Sequence, residues 1–225
     1  MKKVLNLYSG LGGNRRYWEN VSVTAVENNE QIASVYQKQF PKDKLIIADA
    51  HSYLVNHFRE YDFIWSSPPC QSHSKMMRAT RHTINTYPDL RLYEEILLLK
   101  YFFKGNWTVE NVAPYYEPLV EPTIKIGRHL FWSNFSIAPF SVPELKGFFS
   151  ATPDELKKWL GYNYKGNIYY KGNHDAGQVL RNCVHPDLGL HVFNESQNAS
   201  CKVLSSARIK SKAITIKQMQ YEVRY

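Results

Sequence analysis

Three short segments hold residue types that do chemistry. Ser66-Ser67-Pro68-Pro69-Cys70-Gln71 sets a thiol at the end of a rigid polar turn. A free cysteine is commonly a small buried apolar side chain, but two prolines fix φ, force the chain out of regular structure and aim this thiol into a crevice. A helix N-terminus nearby would favour the thiolate, the nucleophilic form. Glu110, beside Asn111, offers a carboxylate that either shares the crevice or pairs with one of the many Lys and Arg side chains. Ser9-Gly10-Leu11-Gly12-Gly13 is a glycine turn that would let backbone approach a nucleoside-type cofactor. Its Gly-x-Gly-Gly pattern lacks the third spaced glycine of the dinucleotide fingerprint. Glu27, 17 residues beyond Gly10, would accept hydrogen bonds from ribose hydroxyls. Asp49 would accept from an adenine amino group or cap a helix. Such a set suits NAD or S-adenosylmethionine.

These residues meet only if the fold brings them to one sheet edge. Short apolar runs alternate with helical segments, which predicts an α/β protein with a parallel, Rossmann-like sheet. Strands are expected at 4–8, 21–26, 45–48, 61–65, 107–109 and 130–135. Helices are expected after Gly13, over 31–40 with Pro41 as the stop, and over 90–103 with Leu92, Ile96, Leu97 and Leu99 buried. Ligands bind such sheets at the carboxyl ends of strands. Gly10, Gly12, Glu27, Asp49, Cys70 and Glu110 all fall at such ends, and that coincidence outweighs any one motif. Past residue 136 the strict alternation is lost and a small irregular lobe, packed on the sheet, is expected. Tyr164-Lys165-Gly166-Asn167 recurs there as Tyr170-Lys171-Gly172-Asn173, two turns that predict hairpins.

Composition narrows the classes. At 44% hydrophobic and 21% charged, the 225 residues are enough to fold into one large domain, or one domain with an appendage. A net charge of +8 points to a polyanionic partner such as nucleic acid. Cys70, Cys183 and Cys201 are too few and too scattered for a disulfide framework and form no zinc half-site, which predicts a reducing, cytoplasmic compartment. His73, His82, His174 and His185 lack ligand spacing, so no metal is expected. The most apolar stretch, 96–103, is interrupted by Lys100 and is too short to span a bilayer, so no membrane is expected. Arg208, Lys210, Lys212 and Lys217 form a basic run near the end, either a DNA contact or a solvated face.

The ordered set Tyr8-Ser9-Gly10-Leu11-Gly12-Gly13, Pro69-Cys70-Gln71 and Glu110-Asn111-Val112 resembles the hallmark motifs of the DNA cytosine-5 methyltransferase family, in its small, phage-like members. Asp89-Leu90-x-Leu92 resembles the family's fifth motif, and Gly127-Arg128-His129-x-Phe131 partly matches its Gln-x-Arg-x-Arg segment. The stretch 180–191 resembles part of the phage-like members. The resemblance implies a catalytic and cofactor-binding domain over 1–135 and a small DNA-recognition lobe over 136–225. It implies Cys70 as nucleophile, Glu110 as the group holding the base and Arg128 as a positioning residue. It implies S-adenosyl-L-methionine as cofactor, with S-adenosyl-L-homocysteine as product, held by Tyr8, Ser9, Gly10, Leu11, Gly12, Gly13, Glu27, Asn28, Asp49, Ala50, Pro69 and Leu90. Double-stranded DNA would be the partner, with the target cytosine flipped out or unpaired.

Two features depart from the family. Fewer than 100 residues follow the sixth expected strand, and the closing cofactor motif is not found after Gln220. A second chain or a homo-oligomer mate would then complete the pocket. The alternative functions are a non-catalytic DNA-binding or regulatory subunit, half of a split methyltransferase, or an NAD-type oxidoreductase that leaves Pro69-Cys70-Gln71 unexplained.

Overall fold

The structure is a computed structural model that describes residues 1–73, 87–169 and 175–199. Runs of β-branched and aromatic residues form β1 (Lys2–Leu7), β2 (Val21–Glu27), β3 (Lys44–Ile47), β4 (Phe63–Ser66) and β5 (Asn106–Val112). Two shorter strands follow, β6 (Ile124–Ile126) and β7 (His129–Ser133). They pair in the order β3-β2-β1-β4-β5-β7-β6. The first five are parallel, and β7 runs antiparallel to both β5 and β6. The chain winds outward from β1 through β2 to β3, then returns to lay β4 on the other side of β1. That reversal makes the carboxyl ends of β1 and β4 the place where such a sheet opens a crevice.

Side chains on successive strand residues point to opposite faces, so each face gathers its own core. Leu5, Leu7, Ile64 and Val109 pack on one face with Leu54 of α2 (Ala50–His57) and with Leu92, Ile96 and Leu99 of α3 (Arg91–Phe102). Val4, Phe63, Trp65 and Phe131 pack on the other face with Leu188, Val192 and Phe193 of α6 (Pro186–Asn198). A third cluster joins Leu11 to Ile32 of α1 (Glu30–Gln39) and to Leu156 and Leu160 of α4 (Pro153–Leu160). It also takes in Val179 and Leu180 of the one-turn α5 (Gln178–Arg181). Caps explain where these helices start. Asn29 accepts from the Gln31 and Ile32 N–H groups, Asp49 from Ser52, and Thr152 forms a reciprocal capping box with Glu155.

The sheet is Rossmann-like, as expected, with extra helices after residue 150. Several local expectations differ from what forms. The segment after Gly13 is a series of turns rather than a helix, because its side chains are engaged in divergent directions. Asn14 donates to Asn6 at 2.8 Å, Arg15 forks onto Asp43 at 2.9 Å, and Trp18 stacks on Phe193 with ring centroids 5.0 Å apart. Leu97 lies on the solvent side of α3, 44% exposed. Gly166 makes its turn at φ +81°, but residues 164–169 contain no strand; the second copy of the repeat, 170–173, lies outside the described residues. The basic run 208–217, Cys201, His82 and His174 also lie outside them. Among the described residues, no helix is long and apolar enough to cross a membrane.

Candidate active site

The glycine turn leaves β1 through Tyr8, which sits at φ +53°, a conformation rare for a residue with a side chain. Its hydroxyl donates to Glu95 at 2.6 Å. Glu95 is fully buried on α3, where it also accepts from Ser66 at 2.5 Å and contacts His51 at 3.1 Å. Glu27 closes the turn from β2. Its two carboxylate oxygens accept the Gly10 N–H at 3.0 Å and the Asn29 N–H at 2.9 Å. Burial raises the Glu27 pKa, and those backbone donors pull against it.

The three glycines of this turn serve different ends. A Cβ on Gly12 would stand 2.4 Å from the Phe40 ring, and one on Gly13 would stand 2.3 Å from the Val184 carbonyl. At those two glycines the space a Cβ would fill is taken by protein neighbours. Only Gly10, at φ +53° with its nearest such contact 3.9 Å away, leaves open space. Leu11 is likewise fully buried in the third cluster, and Ala50 packs in the core beneath α2.

Beyond Tyr8 lies a small cleft, about 80 Å³, lined by Tyr8, Asn28, Asp49, Pro68, Pro69 and Arg91 among others. Four of these residues were expected as cofactor contacts: Tyr8, Asn28, Asp49 and Pro69. Leu90 is not a lining residue; it stands 54% exposed at the start of α3, and Leu92 lines the cleft instead. Asp49 both caps α2 and faces the cleft. Hydrogen bonds from the Ser52 N–H and hydroxyl hold its carboxyl below the usual range, with help from Arg91. Glu95, His73 and Arg91 went unrecognised in the sequence. The available signal for Glu95 was a carboxylate at helical spacing among Leu92, Ile96 and Leu99.

The second part of the site is built at the ends of β4, β5 and β7. Trp65 Nε1 donates to Ser67 Oγ at 2.9 Å, and Ser67 donates in turn to Glu110 Oε2 at 2.8 Å. Asn111 donates to the Pro68 carbonyl at 3.0 Å, which ties the proline turn to β5. His129 Nδ1 lies 2.6 Å from Glu110 Oε1, and Arg128 Nε donates to His129 Nε2 at 3.2 Å. The Arg128 guanidinium also donates to the Arg181 carbonyl and lies 4.7 Å above the Phe148 ring. Burial alone would raise the Glu110 pKa, but His129, Ser67 and Arg128 together hold it below its ordinary value.

Cys70 stands within the fields of both Glu110 and Arg128, so the three expected catalytic residues do come together. The thiol is not activated as expected. Burial and the Glu110 charge push its pKa up, against the opposing pull of Arg128. Residues 71–73 form a turn, closed by the His73 N–H on the Cys70 carbonyl at 3.0 Å, and the residues that follow, 74–86, where a helix N-terminus was expected to favour the thiolate, lie outside the described residues. His129 and Ser67 were also missed, since only strand pairing brings them onto Glu110.

The strand order is that of Rossmann-like S-adenosylmethionine-dependent methyltransferases. Among solved structures the chain is similar to a DNMT2 variant of Spodoptera frugiperda, at 26% identity and a TM-score of 0.36, over 50% of this chain and 36% of that one. It is also similar to the methyltransferase EhMeth of Entamoeba histolytica, at 14% identity and a TM-score of 0.44, over 87% and 98% of the two chains. The chain thus spans about a third of the length of the Spodoptera protein. A search of curated proteins gives no match. The glycine turn, Glu27, Asp49 and Pro69-Cys70-Gln71 all fall within residues 2–89, the region that matches the C-5 cytosine-specific DNA methylase family.

Proposed function

We propose that the chain is an S-adenosylmethionine-dependent DNA cytosine-5 methyltransferase acting on a flipped or unpaired base. One observation carries the reading: Pro68 and Pro69, which line the cleft beyond β1, lead directly into Cys70 at the end of β4, the strand paired with β1. The residues present fit the cofactor. Gly10 leaves backbone open to a ligand, Asp49 lines the cleft as an acceptor, and the buried Ser9 hydroxyl has no partner of its own. Bound there, S-adenosylmethionine supplies a methyl group made electrophilic by its sulfonium.

The chain's own residues then have distinct tasks. Cys70 gives up its proton and adds its sulfur to C6 of cytosine, which makes C5 nucleophilic. Glu110 faces N3 and the exocyclic amine and relays the proton given up by the thiol to N3, which neutralises the charge as the ring electrons shift. Arg128 holds the pocket's charge balance and lowers the cost of the thiolate. Loss of the C5 proton later expels the Cys70 sulfur. Residues beyond 136 are left to grip DNA, aided by the overall positive charge.

The test is transfer of labelled methyl from S-adenosylmethionine to mixed-sequence duplex DNA, together with trapping on DNA that contains 5-fluorocytosine. Transfer and a covalent adduct mapped to Cys70 are expected, and Cys70→Ser should lose both while still binding DNA. An adduct mapped to Cys183 or Cys201 would refute the role of Cys70.

A further inference from the structure

We propose that His129, held with Nδ1 on Glu110 and Nε2 on Arg128, is the positioning residue of the thiol pocket. The inference rests on the cytosine reading and adds a residue which that reading does not use. An arginine can only donate, so the Arg128 Nε contact at 3.2 Å requires a lone pair on His129 Nε2. The ring proton of the neutral imidazole then sits on Nδ1, which faces Glu110 Oε1 at 2.6 Å. Guanidinium, imidazole and carboxylate thus form one directed line, all three largely out of water.

The line has two consequences. With Ser67 on Oε2 and His129 on Oε1, the Glu110 carboxylate is gripped at both oxygens and cannot rotate, so its remaining lone pairs keep a fixed aim. Arg128 is tethered beside the carboxylate through the ring rather than by a direct salt bridge. A second proton on the ring would go to Nε2, where it meets the Arg128 N–H, donor against donor and charge against charge. Arg128 or Glu110 must then move.

The groups that set this balance come from every neighbouring element. Glu110 lies on β5, Ser67 and Cys70 on the turn after β4, and Arg128 immediately before β7. The Phe131 ring lies 6.3 Å from the imidazole. From the C-terminal segment, the Arg181 carbonyl and Cys183 act on Arg128.

Two measurements test the proposal. Heteronuclear NMR of histidine-labelled protein should show the His129 ring proton on Nδ1, hydrogen-bonded to Glu110, and a bare Nε2 facing Arg128. In methyl-transfer kinetics, His129→Gln should preserve both contacts, since a glutamine amide donates to Glu110 and accepts from Arg128. That variant should keep kcat within a few-fold. His129→Ala leaves both partners unmatched, and its kcat should fall roughly tenfold to a hundredfold. A proton found on Nε2, or a kcat that falls as far in His129→Gln as in His129→Ala, would overturn the proposal. Absence of methyl transfer by the wild-type chain at any pH would instead defeat the cytosine reading, and the tautomer would still be decided by NMR.

Discussion

A cysteine set beside a carboxylate and a guanidinium is tuned by their opposition, and the sign of each effect can be measured. Burial and Glu110 raise the Cys70 pKa above its ordinary 9.0, while Arg128 lowers it. Alkylation of Cys70 by iodoacetamide, followed by peptide mapping, should therefore climb with pH through a midpoint above 9.0. Arg128→Ala should move that midpoint up and slow labelling at neutral pH, and Glu110→Gln should move it down. Cys183, fully enclosed with its thiol pushed up to about 11, should stay unlabelled until the protein unfolds. The same midpoint for all three proteins would show that neither charge reaches the sulfur. Cys70 and Glu110 were legible in the sequence because a proline turn and a strand end are local features. His129 and Ser67 were not. Their meaning lies in one hydrogen bond each to Glu110, made across strands that lie far apart along the chain.

Elements formed largely where their periodicity pointed. The five parallel strands and α3 have strong local signals of apolar runs between turns and caps. β6 was missed because three residues in an antiparallel ribbon carry too little pattern. The helix expected after Gly13 failed because Asn14, Arg15 and Trp18 are each claimed by a distant partner, and tertiary demand overrides weak propensity. The glycine turn shows the same limit: sequence revealed its flexibility but not which glycine faced what. Gly12→Ala should cost about 1–3 kcal/mol from overpacking against Phe40 and Tyr36, with a further ~1 kcal/mol from the positive φ. Gly10→Ala meets open space, so it should cost only the backbone part, ~1 kcal/mol, and leave the core intact. Urea denaturation of the two variants separates these outcomes. Equal losses would mean that the Phe40 ring yields freely.

At the scale of the whole molecule, described residues after 136 pack directly on the sheet. α6 covers one face of the sheet, its Phe193 stacked on Trp18 and the Gly189 carbonyl accepting from Trp18 Nε1 at 3.1 Å. Trp18→Ala should lose about 3–5 kcal/mol, and a double-mutant cycle with Phe193→Ala should show coupling beyond additivity. Additive losses would mean that the stack contributes nothing of its own. The sequence anticipated that this region would pack on the sheet, but not that it would grip the glycine turn. Tyr162 donates to the Leu11 carbonyl at 3.0 Å, Arg16 donates to the Gly161 carbonyl, and the Val184 carbonyl fills the space beside Gly13. A turn clamped in this way ties two equilibria together. Whatever free energy S-adenosylmethionine gains from an ordered turn must also favour the docked state of residues 161–169 and 175–184, and by the same amount in reverse. Saturating cofactor should therefore slow proteolysis within those residues, and Tyr162→Phe should weaken both the protection and the binding; protection that survives the loss of that hydroxyl would mean the two ends of the chain are not in thermodynamic conversation through it.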